Sequence, residues 1–279
     1  MSYKTILVHV DESDRSQIRV KFAADIARSE DAHLVGTAVT GVSRFIYQDG
    51  NISASDPNLT IHLNFLKERA ERAVEEFNKI VDHIGVPSFE SSIANDEAGG
   101  GIGLQARYSD LVVLGQTNRD EPSPSVLPDF PEYIVLNSGR PALIIPYAGD
   151  FHSVGKRPLI SWDASREATR AVTDAIPLLK KADLVQVAIF NTKATPDAHG
   201  EQPGADIALY LARHGIKVEV SVHKTSTDIG NALLSLANDL NSDMIVMGGY
   251  GHSRFREMIM GGVTRTILES MTVPVFMSH

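Results

Sequence analysis

Short apolar runs alternate with segments of helical spacing along the whole chain. In the N-terminal half, strands are expected near residues 4–10, 33–40, 88–93, 110–115 and 141–146, and helices near 15–29, 61–84 and 98–107. In the C-terminal half, strands are expected near 157–162, 183–190, 217–223, 243–248 and 273–278, and helices near 165–181, 203–214, 228–240 and 254–270. Leu66, Ala70, Ala73, Phe77, Ile80 and Ile84 recur at three- and four-residue steps, which places them on one helix face. Ile229, Leu233, Leu236 and Leu240 form a second stripe, with Ser226, Thr227 or Asp228 available as its N-cap. Alternating strands and helices, with apolar strands, imply a parallel sheet covered by helices on both faces. Residues 41–60 are polar and read as a long loop.

The same unit is written twice. Ile6-Leu7-Val8-His9-Val10-Asp11-Glu12-Ser13 matches Pro158-Leu159-Ile160-Ser161-Trp162-Asp163-Ala164-Ser165, each an apolar run ending in Asp-x-Ser before a helical segment. Ser109-Asp110-Leu111-Val112-Val113-Leu114-Gly115 matches Ser242-Asp243-Met244-Ile245-Val246-Met247-Gly248. The separation from Gly115 to Pro141 equals that from Gly248 to Pro274, and an apolar strand follows each proline. A period this long means duplicated domains. One domain is assigned to residues 1–148 and the second to 154–279, with the linker within 149–156.

Length and charge narrow the class. A chain of 279 residues suits two domains, each long enough to bury a core. A formal net charge of −9 argues against a nucleic-acid or anionic-membrane binder. There are no cysteines, so disulfides, thiolate catalysis and cysteine-held metals are excluded. No apolar run reaches the ~20 residues that span a bilayer, and the opening Tyr3-Lys4-Thr5-Ile6-Leu7-Val8 is strand-like, without the layout of a signal peptide. The expectation is a cytoplasmic protein.

Chemistry concentrates late in the second copy. The strand Met244-Ile245-Val246-Met247 runs into Gly248-Gly249-Tyr250-Gly251, and after nine residues come Gly261-Gly262-Val263-Thr264. Strand, glycine loop and helix together let backbone N–H groups approach phosphate oxygens. Gly248 and Gly251 would permit that approach and a positive φ. Asp163, at a strand's carboxyl end, could accept hydrogen bonds from ribose or adenine, with Trp162 and Ala164 lining the pocket and Ala188 offering backbone to the adenine edge. His252, Ser253, Gly261, Gly262, Val263 and Thr264 would surround the phosphates; His252 and Arg254 could equally cap the helix or face solvent.

These residues resemble the universal stress protein family, whose pattern is an early Asp-x-Ser strand end and a late Gly-x2-Gly-x9-Gly-Ser/Thr loop. Asp163-Ala164-Ser165 and Gly248, Gly251 and Gly261 fit it. Gly262 stands where the family has Ser or Thr, removing a hydroxyl expected to bond phosphate, and Thr264 lies two residues on. The resemblance covers nearly the whole chain as two tandem copies. It implies an α/β fold: two doubly wound, Rossmann-like domains, each with a five-stranded, mostly parallel sheet, paired through their last strands as an internal pseudo-dimer. A further homodimer is compatible with that. It also implies a stress-response or regulatory role, with ATP or a related adenine nucleotide, with or without Mg2+, in the C-terminal domain only.

The first copy has lost the loop. Its positions matching Gly251, Gly261, Gly262 and Thr264 are Asn118, Pro128, Asp129 and Pro131. Proline has no N–H to donate, and Asp129, Asp120 and Glu121 would repel phosphate, so Asp11 there is expected to cap the next helix. Gly101-Ile102-Gly103-Leu104-Gln105-Ala106 matches a dinucleotide fingerprint formally, but its copy in the second half, Leu234 to Asp239, lies inside a helix. Gly251-His252-Ser253-Arg254-Phe255 falls one glycine short of a nucleophile elbow, and no Asp follows it. The ten histidines show no metal-binding spacing, and no general base and nucleophile pair is apparent, so slow ATP hydrolysis is the most that is expected. The rival reading is a protein-interaction module with two vestigial clefts.

Overall fold

The computed structural model describes residues 2–42, 57–191, 202–251 and 262–279. Two compact units emerge, Ser2–Arg140 and Pro141–His279. His252, Ser253 and Gly261, the expected helix start near 254 and most of the 41–60 loop lie outside the described residues.

The first unit contains four strands, β1 (Thr5–His9), β2 (His33–Val39), β3 (Phe89–Ala94) and β4 (Leu111–Gly115). They lie in the order β3-β2-β1-β4, with every pair parallel. Ile6, Leu7 and Val8 of β1 and Leu111, Val112 and Val113 of β4 are fully buried, which is why these strands read as unbroken apolar runs rather than alternating ones. Around them pack α1 (Ser16–Glu30), α2 (Pro57–Ile84), α3 (Ala98–Ala106) and α4 (Phe130–Asn137). Leu66, Ala70, Ala73 and Phe77 form the buried stripe of α2. Phe77 sits so close over Gly36 of β2 that a Cβ there would lie 2.6 Å from its ring.

Two features of this unit depart from expectation. Helix α2 begins at Pro57, so residues 57–60 belong to it and not to the loop. Helix α4 was not among the expected helices and arises beside Pro128 and Pro131. Pro131 falls in the first turn, where no intrahelical donor is needed. Gly99 and Gly103 of α3 face α4: a Cβ on Gly99 would lie 3.0 Å from the Tyr133 ring. The dinucleotide-like string thus lies inside a helix.

The second unit holds β5 (Ala142–Ile145), β6 (Pro158–Ser161), β7 (Val185–Phe190), β8 (Val218–His223), β9 (Met244–Gly248) and β10 (Val275–Ser278). Their order is β5-β10-β9-β6-β7-β8. All pairs are parallel except β5 with β10, which run antiparallel with Phe276 opposite Leu143. The helices are α5 (Arg166–Leu179), α6 (Ala205–Arg213), α7 (Ile229–Asp239) and α8 (Gly262–Ser270). Ser165 caps α5 by accepting the Ala168 N–H at 3.1 Å, and Asp228 caps α7 by accepting the Asn231 N–H at 3.0 Å. No helix among the described residues is long and apolar enough to cross a membrane.

Candidate ligand site at the strand ends of the second unit

Strands β6, β7 and β9 end together around a cavity of about 400 Å³. This is the carboxyl edge of a parallel sheet, where ligands of doubly wound folds bind. Ser161, Trp162 and Asp163 reach it from β6, Phe190 and Asn191 from β7, and Met247, Gly248, Tyr250 and Gly251 from β9. Gly262, Val263 and Thr264 bring the start of α8, while Ser165, Glu167 and Ile229 complete the wall. Each of the three strand ends turns through a left-handed residue: Ala164 (φ 60°), Asn191 (φ 53°) and Tyr250 (φ 61°). Left-handed Ala and Tyr are strained and are held only where the surrounding structure fixes them, a feature that clusters at ligand sites.

The glycines work differently from expectation. The positive φ belongs to Tyr250, not to Gly248 or Gly251. Gly248 is required by a neighbour, because a Cβ there would lie 2.5 Å from the Ala168 backbone nitrogen at the start of α5. The loop is held from two sides. The Gly249 N–H donates to Ser278 O at 2.8 Å, and the Tyr250 N–H donates to Thr264 Oγ1 at 3.2 Å. Thr264 is buried, so its hydroxyl anchors the loop to α8. At Gly262 there is room: the nearest group to a Cβ is Asp228 Oδ2, at 4.0 Å.

Asp163 is exposed, and its Oδ1 accepts the Ser165 N–H at 2.9 Å, an Asx-turn that leads into α5. Ala188 is fully buried and its carbonyl accepts the Trp162 N–H at 2.9 Å. The strand-end positions facing the cavity are Phe190 and Asn191, two and three residues further along. Ala164 forms the bend, and Trp162, Asp163, Gly248, Gly251, Gly262, Val263 and Thr264 are brought together around one cavity. Glu167, Tyr250 and Ile229 line the cavity but were not among the site residues expected from sequence. Only Glu167 carried a signal: its place two residues after the Asp-x-Ser string puts it in the first turn of α5.

At the matching strand end of the first unit the side chains engage one another. Asp11, the counterpart of Asp163, is paired with buried Arg19, whose Nη2 lies 2.7 Å from Asp11 Oδ1. Arg19 Nε also donates to His9 O at 2.7 Å. A Cβ on Gly115 would lie 2.5 Å from Arg19 Nη1, so the guanidinium lies against that glycine. Phe130 meets the His9 ring edge-on, with centroids 5.1 Å apart. The proline-rich loop is tied back by Glu121, which accepts the Asp14 N–H at 3.1 Å.

Burial alone would raise the Asp11 pKa, but Arg19, His9 and the Ser13 hydrogen bond outweigh it and hold the carboxyl well below its usual range. His9 is lowered from 6.5 to about 4, mainly by burial, with Arg19 adding to the fall and Asp11 opposing it. Asp11 is not the cap of α1: Arg15 stands at that position and no side chain caps it.

Among the described residues no group of three or more His, Asp or Glu could hold a metal ion.

The sequence profile of the universal stress protein family matches residues 2–146 and 156–279. A universal stress protein of Synechocystis sp. is 26% identical over 146 residues, 52% of this chain and 48% of that protein, so the chain spans about half the length of that relative. One from Methanocaldococcus jannaschii is 26% identical over 144 residues, 51% of this chain and 82% of that protein. The crystal structure of a universal stress protein from Archaeoglobus fulgidus superposes with a TM-score of 0.73 at 19% identity, covering 98% of this chain and 95% of the other.

Proposed function

Because the chain belongs to the universal stress protein family, as two tandem domains, we propose that it is a regulatory stress-response protein whose C-terminal domain binds an adenine nucleotide. The observation that carries this reading is the contrast between the two strand-end sites. In the C-terminal domain a cavity opens beside Trp162, Asp163 and the glycine loop. In the N-terminal domain Arg19 and Phe130 occupy the matching space and Asp11 is already neutralised. The N-terminal domain therefore acts as a structural partner.

The cavity suits such a ligand. Trp162, Phe190 and Met247 offer apolar surface to a base, and Asp163 offers an acceptor to ribose hydroxyls. The N-terminus of α8 supplies positive potential for a phosphate. The role assigned to this space is binding.

Trp162 is the only tryptophan in the chain, which gives the site its own reporter. Adding AMP or ATP should change its fluorescence in a saturable way, and Asp163→Ala should weaken the response. A flat titration with both ligands would overturn the nucleotide reading and favour a protein-interaction module.

A further inference from the structure

Strand β7 ends at Phe190, and the next residue, Asn191, turns left-handed at φ 53° beside the cavity. Asparagine is one of the few residues that adopts this conformation readily. Its backbone N–H is engaged in the sheet, donating to His223 O of β8 at 2.9 Å. At this position it is therefore the side chain, and not the backbone N–H, that can donate to a ligand.

The carboxamide is fixed in orientation. The Thr225 N–H donates to Asn191 Oδ1 at 3.0 Å. A backbone N–H can only donate, so the atom it meets is the amide oxygen, and the two branches of the carboxamide cannot be exchanged. The other branch is Nδ2, which carries two N–H donors and accepts nothing. Asn191 is thus held at its backbone by β8 and at its oxygen by the residues just after β8, while it lines the cavity. A donor held this way gives up little rotamer freedom when a ligand arrives.

The first domain has a threonine at this place. The Val10 N–H donates to Thr37 O as the Trp162 N–H donates to Ala188 O, and the Thr40 N–H donates to Ala94 O as the Asn191 N–H donates to His223 O. Thr40 is therefore the counterpart of Asn191; it is buried and has no amide. The carboxamide belongs to the domain whose strand ends surround the cavity.

Resting on the nucleotide-binding reading above, we infer that Asn191 reads the base: its Nδ2 donates a hydrogen bond to a ring nitrogen of the adenine. Asn191 directly follows Phe190, which with Trp162 and Met247 offers the apolar surface assigned to the base. The donor stands at the edge of that surface, where the in-plane lone pairs of a base lie. The bare ring nitrogens of adenine accept hydrogen bonds, so an N–H donor complements them.

Calorimetric titration of the full chain with AMP, and with AMP analogues in which one or another acceptor ring nitrogen is replaced by C–H, tests this. One analogue should bind about tenfold more weakly than AMP, the size of one lost hydrogen bond. Asn191→Asp keeps an oxygen for the Thr225 N–H, tolerates the left-handed turn and removes the donor. It should bind AMP at least about tenfold more weakly, and AMP and the weak analogue should then bind alike. The added charge acts equally on ligands of equal charge, so it leaves their ratio alone. Asn191→Gly, which also suits a left-handed turn, should abolish the ratio without adding a charge. Equal affinities of the unaltered chain for AMP and every analogue overturn the inference while leaving nucleotide binding standing. So does either variant that keeps the ratio of the unaltered chain. If AMP does not bind the unaltered chain, the nucleotide reading itself falls. The comparison among ligands on the unaltered chain holds whether or not the variants fold.

Discussion

Buried Arg19 and partly buried Asp11 form an ion pair at 2.7 Å in the first domain, and repeat correspondence places Ala171 where the second domain would need that arginine. Arg19 thus lies against Gly115 at the first strand end, and an alanine stands at the matching position in the second. Removing one member of a buried pair leaves the other uncompensated, at a cost of about 3–5 kcal/mol. Arg19→Ala should lower stability by about that amount in urea unfolding, and adding Asp11→Asn should restore part of the loss. Additive losses in the double variant would show that the pair is not coupled.

Acid should weaken the N-terminal domain through His9. Its folded pKa of about 4 lies below the ordinary 6.5, so the unfolded chain binds the proton first. The stability tied to neutral His9 is therefore present above pH 6.5 and lost as pH falls toward 4. Between about pH 7.5 and pH 5 the loss from this one group is on the order of 2 kcal/mol. Asp11, held low, adds a further loss only once pH drops below its ordinary 3.8. In His9→Gln the decline over the upper window should shrink. An unaltered pH profile would remove His9 from the account.

Gly248 and Gly251 should respond differently to a methyl group. At Gly248 the obstacle is the backbone of α5, 2.5 Å away, which cannot yield without moving the helix. At Gly251 it is the end of the flexible Glu167 side chain, 3.1 Å away. Gly248→Ala should cost about 1–3 kcal/mol, and Gly251→Ala less than about 1 kcal/mol. Equal losses would mean that α5 does not press on the strand end.

The strands were legible because a parallel strand buried on both faces has no room for polar residues, as Ile6 to Val8 show. The duplication was legible in the matched Asp-x-Ser and Gly-to-Pro spacings. The α4 helix was not, because proline in a first turn looks the same in sequence as proline in a loop. Gly248 was marked as special, but its reason lies in the approach of α5, a tertiary contact that the local string does not encode. Arg19 escaped notice for a related reason. A lone arginine on a helix reads as solvated, and its burial depends on Asp11, the His9 carbonyl and Gly115 meeting around it. At the cavity, the strand expected near 183–190 ends where β7 does, but Ala188, buried within it, was chosen for the cavity edge where Phe190 and Asn191 stand.

The central claim is one nucleotide site per chain, in the second domain. Native mass spectrometry of the full chain at saturating AMP or ATP measures this directly. The account predicts a mass increment of one nucleotide per chain, lost in Gly251→Val, whose branched side chain would enter the cavity, and retained in a variant that replaces only exposed residues of the first domain's proline-rich loop. Two nucleotides per chain would contradict the filled first site, and none would contradict the account as a whole.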